Sequence, residues 1–386
     1  VNRTSNYMSY KRDILERIPP HIRELKGYVP GKTIEEVVET YEPERISKLA
    51  SNENRWGFAP GVPEAVGKAM QVANNYPSAL ANNLRTKLAV KLSCEEDQLI
   101  IGAGSESLLG LLCRTFFDPE DEIITASATF VGLNIQAHIH QIPVVQIPLT
   151  PDYRFDIGAI AASVNERTRA VYIANPNNPT GTIITKEELG MLMRSLPEQV
   201  MLILDEAYVE FARENPLYPD SLPIISQPDT AQHPNTLIMR TFSKAYGLAS
   251  FRVGYALGPA QLIQALWKTK NTFEPSGISE AAAISALEDD HFLTNSVKYT
   301  REARQDFEAF LAHHTIPYVP SSANFVMLLA PDETQALHIT ESLLRLGIIV
   351  RQLSPFGIPN GIRITMGLEE EMEHLKQALK SCWPTS

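Results

Sequence analysis

Lys244 stands in "TFSKAYGL" (241–248), just behind the apolar run "TLIMR". Thr241 and Ser243 put two hydroxyls beside it, and Arg252 follows in "ASFRVGY" (249–255). A lysine at the end of a strand-like run is either an ordinary loop lysine, since most lysines are exposed, or an amine placed for chemistry. The hydroxyls and the arginine fork beside it suit a phosphate.

Three other stretches raise the same question. "GAGSES" (102–107) reads as strand, Gly-x-Gly turn and helix start, which offers the N–H groups of Ser105 and Glu106 to a phosphate. It is neither GxGxxG nor a P-loop, and alone it is a weak signal. "NPNNPTG" (175–181) is ordinary turn chemistry, yet it ends an apolar run directly, which makes Asn178 a candidate to face the same cleft. In "LILDEAYVEF" (202–211), Asp205 ends another such run and Tyr208 lies three residues on. An acid there commonly caps a helix, but a buried acid facing a cationic ring nitrogen also makes chemical sense. Together the stretches offer a phosphate cradle, an acid for a pyridinium, an amide for a phenolate and an amine for an imine. That inventory fits pyridoxal 5′-phosphate.

The elements that must position these groups follow an α/β pattern. Short apolar runs near 98–104, 122–126, 143–149, 169–175, 199–207, 236–242 and 252–258 read as strands buried on both faces. Helical patterns separate them at 105–117, 131–141, 156–165 and 185–196. The expected fold is α/β, with a large domain built on a mostly parallel sheet of the seven-stranded type, covered by helices, and a smaller α+β domain. Each chemical stretch lies at a strand's end, the edge where open α/β sheets bind ligands. The later chain reads as a long helix over roughly 291–313, a strand at 324–330, a helix over about 332–346, two further apolar runs and a closing helix. The expected division is an N-terminal segment, 1–45, packing on the small domain; a large cofactor-binding domain, 46–288; and a small C-terminal domain, 289–386.

Composition limits the function classes. The 386 residues are 44% hydrophobic and 20% charged, enough for a packed core. The formal net charge of −11 argues against a general nucleic-acid binder, though not against a local basic pocket. Cys94, Cys113 and Cys382 are odd in number and widely spaced, which fits a reducing compartment. No apolar run approaches a membrane span and the N-terminus lacks a signal-peptide core, so the cytoplasm is the expected location, with no membrane partner.

With these residues assembled, the chain resembles fold-type I pyridoxal-phosphate aminotransferases, and within them the histidinol-phosphate aminotransferases. The resemblance runs from "KLASNEN" (48–54) through "NNYPSALANNLR" (74–85), "GAGSE", "NPNNPTG", "DEAYVEF" and "RTFSKAYGLASFRVGY" to "GIRITMG" (361–367). It implies that Lys244 holds the cofactor as an imine and shuttles a proton. It implies that Asp205 pairs with the ring nitrogen, that Asn178 and Tyr208 bond the phenolic oxygen, and that Phe130 stacks on the ring. Ser105, Glu106, Thr241, Ser243 and Arg252 then hold the phosphate. Tyr76, in "NNYP", would reach the phosphate of a partner subunit, which implies a homodimer with shared active sites. Tyr28, Asn54, Arg351 and Arg363 are the implied substrate contacts. The implied reaction is a ping-pong transfer between histidinol phosphate and 2-oxoglutarate.

The chain departs from the family pattern at Arg55-Trp56, at Phe130 and at Ser250-Phe251. In such a fold Arg55, Trp56 and Phe130 are expected near the substrate entrance. They motivate an alternative, an aminotransferase for aromatic or other amino acids. A related phospho-amino-acid decarboxylase and a non-catalytic relative that merely keeps the fold are weaker alternatives. His138 and His140 lie on different faces of their helix, and no metal is expected.

Overall fold

The computed structural model describes residues 14–25, 31–226 and 233–384. The chain first forms a short strand, β1 (Ser47–Lys48). Seven further strands then build one sheet: β2 (Leu99–Gly102), β3 (Glu122–Ala126), β4 (Val144–Ile147), β5 (Thr168–Ala174), β6 (Met201–Asp205), β7 (Thr236–Thr241) and β8 (Gly254–Leu257). Their spatial order is β2-β8-β7-β6-β5-β3-β4. Every pairing is parallel except the two that β8 makes, with β2 and β7.

Strands β2, β3, β6, β7 and β8 are buried along their whole length, which is why the sequence shows them as unbroken apolar runs. The two-residue period of a strand divides their side chains between two cores. Ile101, Val171, Leu202 and Ile238 pack on one face of the sheet. Ile100, Tyr172, Ile203 and Met239 pack on the other.

A second sheet follows, from β9 (Tyr318–Val319), β10 (Phe325–Leu329), β12 (Arg351–Gln352) and β13 (Gly361–Thr365), in the order β12-β13-β10-β9. The helices Asp290–His313, Glu333–Arg345 and Glu369–Cys382 pack a third core against it, with Phe307, Leu343, Ile364 and Leu375 inside. Asp289 and Asp332 start two of these helices by accepting the N–H groups of Phe292 and Gln335. Between β10 and β13 the strand β11 (Ile348–Ile349) pairs in parallel with β1.

That pairing bears on the expected division at residues 45/46. The segment from Ser47 onward is hydrogen-bonded to C-terminal elements: Leu49 O accepts from Thr365 N at 2.8 Å, and Asn52 N donates to Thr365 Oγ1 at 2.9 Å. Leu49 is buried in the third core. Residues 47–52 form a strap that bonds to the small sheet and also reaches Lys244 and Tyr208, in a segment that the sequence reading placed in the large domain.

Candidate active site

The carboxyl ends of β2, β5, β6 and β7 share one edge of the large sheet. Because β8 runs the other way, its start lies at that same edge: Gly254 is paired with both Gly102 and Thr241. This reversal brings Arg252 back to the phosphate-type groups at the end of β2 and β7. A cavity of about 500 Å³ opens there, within the range of small-molecule sites.

One end of the cavity is built for an anion. The helix Ser105–Phe116 begins there, with Ser105 and Glu106 in the wall and first-turn N–H groups that lack intrahelical partners. Thr241 Oγ1 donates to Ser243 Oγ at 3.0 Å and Arg252 Nη1 donates to the same oxygen at 3.3 Å. Thr241 Oγ1 also lies 3.2 Å from Val253 O, so its single proton is shared between two acceptors, and the Thr241–Ser243 pair sits beside Arg252 as a hydroxyl cluster at the cavity wall. Gly104 has φ +85°, and a Cβ there would lie 2.5 Å from Arg252 Nη2. Only glycine lets the guanidinium close over this turn. Arg252 itself takes a left-handed conformation, φ +54°, a strained placement of the kind found at ligand sites.

The middle of the cavity holds Lys244, Asp205, Tyr208, Asn178 and Phe130. Asp205 ends β6 and is only 4% exposed. Its Oδ2 accepts from Tyr172 Oη at 2.7 Å and its Oδ1 from Ala207 N at 3.2 Å. It caps no helix, because the short helix Val209–Ala212 starts after Tyr208. Burial pushes the Asp205 carboxyl up to about 6, with the Tyr172 and Ala207 hydrogen bonds opposing. Lys244 Nζ lies 3.3 Å from Ser51 O and 5.8 Å from the Tyr208 ring centre. Burial, reinforced by Arg363 and Arg252, lowers its amine to about 8, while Glu53 and Asp205 pull the other way. Phe130 has room for its ring because residue 132 is glycine: a Cβ there would sit 2.5 Å from the ring.

The far end faces the small sheet. Arg363 is buried between the Phe325 and Phe356 rings, 5.3 and 5.6 Å from their centres. Its Nη1 donates to Asn178 Oδ1 at 2.5 Å and its Nη2 to Ala50 O at 2.9 Å. Asn178 thus spends its oxygen on Arg363 and keeps its N–H groups for a ligand. Arg351 lines the same end, 5.8 Å over Phe356. The cavity therefore has two cationic ends and one buried acid between them, in a chain whose net charge is −11.

These residues fit a phosphorylated, ring-bearing cofactor that carries a carbonyl. The helix start, two hydroxyls and Arg252 suit its phosphate, the buried acid suits a cationic ring nitrogen, and Lys244 between them can reach a carbonyl carbon. Among known sequences, the family model described as aminotransferase class I and II matches residues 44–379. This chain belongs to the class I and II aminotransferases. It is 40% identical over 362 residues to a histidinol-phosphate aminotransferase of Geobacillus sp. strain WCH70, covering 94% of this chain and 97% of that one. It is 36% identical to that of Bacillus subtilis strain 168, covering 93% and 98%. A solved relative, the histidinol-phosphate aminotransferase of Sinorhizobium meliloti in complex with pyridoxal-5′-phosphate, superposes with TM-score 0.84 at 30% identity over 95% of this chain and 97% of that one.

Not every residue singled out from the sequence of this aminotransferase comes to the cavity. Asn54 is turned aside: its amide donates to Ala245 O at 2.9 Å and Ser296 Oγ at 2.7 Å. Tyr76 is 82% exposed and stacks on Phe273 at 4.5 Å, away from the cavity of its own chain. Tyr28 lies outside the described residues. Arg55 and Trp56, expected near the substrate entrance, are not in the wall either. Arg55 Nη2 donates to Glu371 Oε1 at 2.6 Å, and Trp56 packs 6.2 Å from Tyr299. Nothing in the structure explains Ser250; Phe251 packs against the first core.

Two wall or support residues of the aminotransferase were missed. Tyr172 reaches Asp205 because β5 and β6 are neighbours in a register that pairs Ala174 with Asp205. Asn52 lines the cavity and donates from Nδ2 to Tyr208 Oη at 2.9 Å. It stands inside the quoted "KLASNEN", but its partner is 156 residues away.

Proposed function

We propose that this aminotransferase moves an amino group between histidinol phosphate and 2-oxoglutarate, giving imidazole acetol phosphate and glutamate, with pyridoxal 5′-phosphate held at Lys244. The observation that carries the reading is the pair of cationic ends in one cavity. One end, Ser105, Glu106, Thr241, Ser243 and Arg252, suits the cofactor's phosphate; the other, Arg351 with Arg363, suits a substrate's phosphate or carboxylate. The two relatives at 36–40% identity, named for the same activity, support it.

Bound in this site, the cofactor supplies an electron-accepting ring next to the substrate Cα. The chain's own groups do the rest. Asp205 would hold the ring nitrogen, whose proton-bearing cation would offset the cost of burying its carboxylate. Asn178 Nδ2 and the Tyr208 hydroxyl would donate to the cofactor's phenolic oxygen, and Phe130 would pack on its ring. Lys244, with an amine near 8, is partly neutral at neutral pH and is placed to take a proton from Cα and return it. Both substrates use one site in turn, which is ping-pong kinetics, so Arg363 and Arg351 accept the carboxylate of glutamate and the phosphate of histidinol phosphate alternately.

The exposed Tyr76–Phe273 pair supports a homodimer in which Tyr76 serves the partner's phosphate site. All three cysteines are free, and among the described residues no helix is long and apolar enough to cross a membrane; we assign the cytoplasm. Of the three departures that favoured aromatic substrates, only Phe130 lines the cavity. Steady-state rates with histidinol phosphate, phenylalanine and tyrosine as donors test the substrate. The expected order puts histidinol phosphate first; no turnover with it at any concentration ends this reading.

A further inference from the structure

Tyr208 is buried, and its ring stands edge-on to Phe325 at 5.2 Å. The Asn52 amide reaches its hydroxyl, and the orientation of that amide decides what Tyr208 can do. Asn52 Oδ1 accepts from Thr365 Oγ1 at 3.2 Å, while Thr365 Oγ1 accepts the Asn52 backbone N–H at 2.9 Å. The reverse amide orientation would make Thr365 accept twice and leave its proton undirected. The observed one gives a single sense of donation, from Thr365 to Asn52 to Tyr208.

Asn52 is built into place. It is 1% exposed, its φ is +55°, and its carbonyl accepts from Asn324 Nδ2 at 3.1 Å. Asparagine is among the few non-glycine residues that enter this region readily. Thr365 is two residues from Arg363 on β13, so the strand that carries the anion-binding arginine also carries the hydroxyl that starts the chain of donation.

We infer that Asn52 and Thr365 are positioning residues for Tyr208: they occupy the acceptor side of its hydroxyl, so that its proton is delivered into the cavity. The inference rests on the reading of Tyr208 as a donor to the cofactor's phenolic oxygen. The charged and titratable groups that face Tyr208 are Arg363, Asp205, Lys244 and Tyr172, and all of them stay in place in the variants below.

The test uses the cofactor-loaded protein and reads the pH midpoint of its visible absorbance, which a donor to the phenolic oxygen lowers. Asn52→Asp keeps the shape and the tolerance for positive φ but replaces the donor with an acceptor, which turns the Tyr208 proton away from the cavity. The midpoint should rise by between about 0.5 and 1 pH unit, the size of one lost hydrogen bond. Thr365→Val should raise it less, and Thr365→Ser should leave it unchanged. In a Tyr208→Phe background Asn52→Asp should move the midpoint by less than half as much, because its route of action is gone. The kcat should fall in Asn52→Asp and Thr365→Val with little change in KM. An equal shift in both backgrounds, or no shift in either Asn52→Asp or Thr365→Val, overturns the inference. Protein that takes up no chromophore at all instead ends the proposed function.

Discussion

Asp205→Asn, measured without cofactor, should change how stability depends on pH. In the folded protein the carboxyl titrates at about 6, against an ordinary value of 3.8. A folded pKa raised above the unfolded one gives stability that is complete below 3.8 and is lost as pH rises through 6. The gap corresponds to about 3 kcal/mol lost by neutral pH. The asparagine variant escapes that loss. Its amide oxygen can keep the Ala207 N–H, but its amide nitrogen donates and cannot accept, so the buried Tyr172 proton loses its acceptor at every pH, on the order of 1 kcal/mol. The variant should therefore be less stable than the parent at pH 4 and more stable by about 2 kcal/mol at pH 8, with the two curves crossing between. Urea unfolding across this pH range, at an unchanged m value, reads the difference. Pyridoxal phosphate should restore the parent's advantage at pH 8, since a ring cation is what the buried carboxylate lacks. Parallel pH curves for parent and variant would refute the argument that Asp205 is held in a costly ionised state for a cationic partner.

Other substitutions test the supports of the site. Glu206 and Arg240, each 2% exposed, form an ion pair directly behind Asp205 and Thr241, with two guanidinium N–H groups on Glu206 Oε2 at 2.9 and 2.7 Å. Glu206→Gln strands the arginine and should cost about 3–5 kcal/mol in urea unfolding; adding Glu210→Gln removes a second buried carboxylate whose charge acts on Arg240 and should cost more, and a loss below about 1 kcal/mol would contradict the assignment. Arg55→Ala strands Glu371 and should cost about 2 kcal/mol. It should also lower kcat/KM for both substrates, because the strap that Arg55 pins carries the carbonyls bound by Arg363 and Lys244. Arg55→Ala/Glu371→Gln should recover part of the stability, and strict additivity would count against the pair.

The large sheet was legible because strands buried on both faces leave continuous apolar runs, and the groups at their ends stood out against them. Direction was not legible. Nothing in "RVGYALG" says that β8 runs against its neighbours, yet that reversal is what returns Arg252 to the helix start at Ser105. Partners set by register between distant segments were hidden too. Tyr172 meets Asp205 only through the alignment of β5 with β6, and Asn52 meets Tyr208 only because β1 pairs with β11 and draws the strap across the cavity. Arg55 read as an entrance residue from the family resemblance alone; Glu371, 316 positions away, claims its side chain instead.

The proposed chemistry turns on one atom, Lys244 Nζ. Protein incubated with pyridoxal phosphate, reduced with borohydride, digested and read by mass spectrometry should carry a single covalent adduct, on the peptide containing Lys244, with visible absorbance lost in step. No adduct, or adducts scattered over surface lysines with Lys244 unmodified, would contradict it.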